Sequence, residues 1–135
     1  MAGITPLEGQ DYVAEVLYSQ ATVPQTLIMG LFVNTTGVLT ESSAWADISQ
    51  ASGTDYAVIT LTAGSWSVAS GGVATYPSVS WIAGDSWALP VYGYYVRTNE
   101  GTPRLLHFEY SPNGSRTMTE NDVYTVDPSS NTEST

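Results

Sequence analysis

The sequence predicts a mainly β protein, an antiparallel sandwich or barrel with one short N-terminal helix. Three observations predict it. Short runs rich in Val, Ile, Thr, Tyr and Trp recur along the chain, each bounded by Gly, Pro, Asn, Asp or Ser. Helical spacing occurs near the N-terminus. The chain has 135 residues, 42% of them apolar, which suits one domain with its own core. Regularly spaced short strands serve a sandwich and a barrel alike, so both architectures stay open.

The helix comes first. Pro6 suits a first helical turn, and Glu8 and Asp11 favour its positive end. Tyr12, Val13, Val16 and Leu17 fall at helical spacing, which predicts an amphipathic helix from Leu7 to Ser19. Pro24 ends any continuation. Such a helix either packs on its own β-domain or docks on a neighbouring subunit.

The strands follow. Leu27 to Val33 has few polar positions and reads as central. Trp45 and Ile48 anchor a short helical turn within a polar stretch. Ala57 to Thr62 is β-branched, and Ala63-Gly64 turns it. Ser70-Gly71-Gly72 is a hairpin signal with Val73 to Tyr76 as its return strand. Val79 and Trp81 continue the alternation, and Ala83-Gly84-Asp85 turns again. Val91 to Val96 carries large side chains on both faces, as a strand between two layers would. Leu105 to Tyr110 pairs back across Asn99-Glu100-Gly101, and Val123 to Val126 is the last strand. The expected organisation is an N-terminal arm over 1–24, a β-domain over 25–126 and a polar tail over 127–135. The tail shows no apolar anchor and is expected to be disordered in isolation.

Charge narrows the function classes. The chain has 13 acids against 3 arginines, no lysine and a net charge of −10. Three cations neutralise few phosphates, which argues against nucleic acid and against anionic membranes. No segment approaches the ~20 apolar residues that cross a bilayer. Met1-Ala2-Gly3-Ile4 lacks the basic start of a signal peptide, so synthesis in a cytoplasm is expected.

Chemistry is sparsely provided. There is no cysteine, which removes disulfides, thiolate metal sites and cysteine nucleophiles. His107 is the one histidine and sits between Leu106 and Phe108 in an alternating strand, which favours a structural role. No serine lies in Gly-x-Ser-x-Gly. Gly84-Asp85-Ser86 resembles an esterase nucleophile block but has no downstream Asp-x-x-His, so it reads as a turn. The acids are scattered, which disfavours a glycosidase pair. Asp47 or Asp55 with loop carbonyls is the one arrangement that suggests calcium. No catalytic residue, cofactor or metal is expected.

The order Asp55-Tyr56-Ala57, Thr60-Leu61-Thr62, Trp66, Gly72-x-Ala74-Thr75-Tyr76 and Val91-Tyr92-Gly93-Tyr94-Tyr95-Val96 resembles a group of small β-rich virion proteins of tailed bacteriophages. Leu31-Phe32-Val33-Asn34 upstream, and Leu105-Leu106 and Glu109 downstream, fit the same pattern. The likeness spans roughly Leu27 to Glu109. It implies a capsid decoration (cement) protein on the outer shell, with the major capsid protein as partner and a homo-oligomer, dimer or trimer, as the working unit. The alternative it leaves open is a tail or fibre protein, structural or glycan-binding. Contacts are expected from the termini and from the excess of Trp and Tyr. The candidates are Tyr12 and Val16 on the helix, Trp45 and Trp87, and Pro128 and Asn131 in the tail.

Overall fold

A computed structural model of the chain describes residues 3–19, 26–67, 70–71 and 73–128. Helix α1, Leu7–Tyr18, forms where the spacing places it. Pro6 precedes it in extended conformation, and the Leu7 N–H donates to the Glu41 carbonyl at 2.8 Å. That bond satisfies one of the four orphan donors of the first turn.

Six strands follow: β1 Thr26–Phe32, β2 Ile59–Thr62, β3 Val79–Ile82, β4 Gly93–Thr98, β5 Leu105–Tyr110 and β6 Val123–Val126. They form two antiparallel sheets, one ordered β2-β1-β4-β5 and one pairing β3 with β6. Among the described residues no sheet closes on itself, so the architecture is a sandwich and not a barrel.

Register explains the core. Odd positions of β1 (Leu27, Met29, Leu31) and even positions of β4 (Tyr94, Val96) share one face of the larger sheet. That face packs against Trp81, Tyr124 and Val126 of the smaller sheet and against Trp87, Val91 and Met118. The opposite face carries Phe32, Tyr95, Leu105, Phe108 and Tyr110, covered by Leu39, Trp45 and Ile48 from the connection after β1. Strand β4 is therefore covered on both sides, as its two-faced sequence requires. Gly93 is obligatory there, because a Cβ would lie 2.1 Å from the Glu109 carbonyl oxygen.

Three expected boundaries differ. Strand β2 starts at Ile59, two positions after Ala57. Among the described residues Ser70 and Val73 form an isolated bridge where the sequence predicts a regular strand over Val73 to Tyr76, and Ser67 N–H reaches the Thr75 carbonyl. Strand β4 starts at Gly93, with Val91 in an isolated bridge to Arg116. Val91 still has a paired residue in Arg116, and Val68 and Ala69, on the stretch opposite Val73 to Tyr76, lie outside the described residues. The hairpin position Gly72 and the helix terminator Pro24 lie outside the described residues, as do 129–135 of the tail. Pro128 departs from expectation. It is fully buried, and its carbonyl accepts from the Tyr76 N–H at 3.1 Å. A proline ring offers apolar surface that the polar residues around it in sequence hide.

Candidate functional site

Strand β5 is an edge, and exposed edges invite pairing with other chains. The N-terminus covers this one. Ile4 and Phe108 exchange backbone hydrogen bonds at 2.8 and 3.0 Å, and α1 then runs along β5. Gly9 permits the approach, since a Cβ there would lie 2.8 Å from the Leu106 carbonyl. Glu8 clasps the helix down: its Oε2 accepts from the Trp45 N–H at 2.8 Å and the Leu105 N–H at 2.9 Å. Further along, Glu15 pairs with Arg104 at 2.7 Å, and that guanidinium lies 5.5 Å from the Tyr12 ring centre. In the monomer α1 therefore docks on its own sheet, the first of the two roles open to it.

The docking leaves a groove of about 440 Å³. Val13, Val16 and Leu17 of α1 line one wall, and Leu27, Trp66, Val96 and His107 line the rest. A register shift in β5 places both Leu106 and His107 toward it. Val13 and Leu17 in its wall are exposed, as is the next residue of α1, Tyr18, at 84%.

Two residues further along the same face lies a second cavity, a cleft of about 560 Å³. Tyr94 and Glu109 line its side toward the sheet, Asn113, Ser115 and Arg116 come from the loop after β5, and Tyr124 and Asp127 from β6 and just beyond. The two cavities meet through a chain of side chains. Tyr94 Oη donates to Glu109 Oε2 at 3.1 Å and lies 3.2 Å from His107 Nε2. Since the one hydroxyl proton goes to the carboxylate, His107 Nε2–H is the donor to Tyr94.

Burial acts oppositely on the two ends. It pushes the His107 imidazole down to about 4, because a cation is not solvated there. It pushes the Glu109 carboxyl up, against a smaller pull from the Tyr94 hydrogen bond. Tyr124 is likewise raised by burial.

The expected contact residues separate. Tyr12 and Val16 come together in the groove wall. Trp45 is half-buried over the other sheet face, 5.1 Å from Tyr95 and 4.9 Å from the Arg97 guanidinium. Trp87 is a correction: it is 3% exposed, donates Nε1–H to the Thr54 carbonyl and packs edge-on to Tyr56, so this fold gives it no surface to offer. Pro128 is a second correction for the same reason. Asn131 lies outside the described residues.

The loop acids have local duties. Asp47 Oδ2 accepts from the Ala44 N–H at 2.8 Å, and Asp85 Oδ1 from the Ser86 N–H at 2.7 Å. Among the described residues no three His, Asp or Glu side chains gather as a metal site would require. Glu8, Tyr94 and Glu109 were not anticipated as functional. Tyr94 and Glu109 alternate in phase with Val96 and His107, but only pairing of β4 with β5 brings them together. Comparison of the chain with protein-family models, with curated proteins and with solved structures finds no match in any of the three.

Proposed function

We propose that the chain is a bacteriophage virion structural protein, a decoration (cement) protein that clamps neighbouring capsid subunits on the outer shell. The observation that carries this reading is the apolar groove under α1, bordered by exposed Val13, Leu17 and Tyr18. It is an apolar patch on a chain with a net charge of −10 and few functional groups for catalysis. The likeness to small phage virion proteins supports the choice of the major capsid protein as occupant. The working unit is a dimer or trimer, so each copy grips more than one neighbour and modest contacts multiply. The acidic remainder of the surface limits adhesion to packaged nucleic acid and to other particles.

The test is to assemble particles without the protein and heat them. Earlier capsid rupture, restored by adding the protein, is the expected result. Unchanged rupture temperature with unchanged head density would sink the proposal. A second reading, a tail or fibre protein that binds glycan, draws on the tyrosine-bearing cleft with Asn113 and Ser115. Copy number separates the two, since a cement protein coats the head and a fibre protein is present in few copies.

A further inference from the structure

Glu109 is a half-buried carboxylate with no ion-pair partner among the described residues. None of the three arginines pairs with it, although Arg116 also lines the cleft. Arg104 pairs with Glu15, Arg97 donates to the Thr98 carbonyl and lies over Trp45, and Arg116 donates to the Val123 carbonyl at 2.6 Å. Tyr94 holds one carboxylate oxygen, Oε2, and is itself held by His107. A carboxylate accepts about four hydrogen bonds, so among the described residues most of this capacity is left for a guest in the cleft.

We infer that the cleft is an interaction surface that receives a lysine or arginine side chain of a partner protein, with Glu109 as its counter-ion. Four features support this. A desolvated carboxylate gains most from a cation placed beside it. Burial already opposes the charged form of Glu109, with Tyr94 and, more weakly, the charge of the amino terminus acting the other way. The cleft carries two carboxylates, Glu109 and Asp127, against the exposed guanidinium of Arg116. The whole chain, at −10, steers cationic surfaces toward it. At about 560 Å³ the cleft also admits the backbone flanking the inserted side chain, within reach of Asn113 and Ser115. The inference deepens the decoration reading by naming what the partner offers, and rests on it for the partner's identity alone.

The experiment is a titration of the full ¹⁵N-labelled chain at pH 7 and low salt. The probes are N-acetyl-arginine amide, N-acetyl-norleucine amide and maltotriose. The arginine probe alone is expected to give saturable shifts at Tyr94, Glu109 and the 113–116 loop, weakening as salt is added. Glu109→Gln is expected to weaken it about tenfold. Asp85→Asn, an exposed acid outside the cleft, binds as the unaltered chain does. The same spectra report folding. Should Glu109→Gln unfold, Tyr94→Phe keeps the ring, removes the donor and is expected to weaken the probe severalfold. Equal shifts from the norleucine probe, or unaltered arginine binding in these variants, overturn the inference. A saturable response to maltotriose with none to arginine overturns it too, and assigns the cleft to glycans. No capsid is present, so failure here leaves the decoration reading to the heating experiment, and failure there leaves the cleft's cation preference intact.

Discussion

The groove and the cleft sit on one face of one sheet, yet they have opposite character. Val96 with His107, and Tyr94 with Glu109, are successive same-face pairs across β4 and β5. The first pair is roofed by α1 and Trp66, the second by the 111–116 loop and β6. The sheet supplies the spacing, and what is laid over it decides the chemistry. The same burial then acts in opposite senses, lowering the pKa of a base and raising that of an acid.

The largest effect should come from breaking the groove's roof. Glu8→Ala leaves the Trp45 and Leu105 N–H groups without their acceptor and costs about 4 kcal/mol, two charge-assisted bonds at about 2 each. Urea unfolding measures the loss. Proteolysis near residue 19 should accelerate, while the arginine-probe shifts at the cleft should survive in the folded fraction.

Acid comes next, and it separates the two ends of the hydrogen-bonded chain. Unfolded His107 takes its proton near pH 6.5, folded His107 near pH 4. Between these values the unfolded state binds more protons, so stability falls as pH falls, by about 3 kcal/mol below both. Glu109 has the opposite sign: its folded pKa is raised, so it adds stability as pH falls through that value. His107→Gln should flatten the decline between pH 6.5 and 4, and Glu109→Gln should steepen it. Unfolding free energies at a series of pH values decide both, and parallel curves for the two variants would refute the opposition.

Gly93→Ala is expected to cost about 2 kcal/mol, because its methyl meets the Glu109 backbone and the Phe32 ring. Hydrogen exchange should show β4–β5 loosening at the cleft end, with α1 protected as before. The smallest effect on stability is Leu17→Ser, within about 0.5 kcal/mol, since the side chain is 65% exposed. Under the proposed function it should nonetheless weaken attachment to capsids, measured by co-sedimentation. Undiminished attachment would move the contact away from the groove.

Much of the fold was legible. Pro6 and the Tyr12-Val13-Val16-Leu17 spacing located α1 within one residue of its end. Leu105–Tyr110 and Val123–Val126 emerged as expected, because alternation and turn residues are local properties. Strand β2 starts later than Ala57 because alternation shows that a segment suits a sheet, not that a partner lies beside it. The site was legible in part. The apolar face of α1 was readable, and Tyr12 and Val16 do line the groove. Trp87 was not, since a tryptophan suits an interface and an interior equally, and only the position of Thr54 and Tyr56 places it inside. Glu8 reads as a dipole-favouring acid of a first turn, and its clasp spans 37 and 97 residues of chain.

By itself the sequence determined the class of fold, the single helix and its face, the acidic surface and the thin supply of reactive groups. These follow from composition and short-range period, which need no knowledge of what meets what. The tertiary structure alone decided that the sheets form a sandwich and that α1 seals the β5 edge. It alone joined His107, Tyr94 and Glu109 into one chain between an apolar groove and a polar cleft. The physical reason is that register and layering are long-range choices, made by pairing segments distant along the chain and by the shapes of the side chains between them.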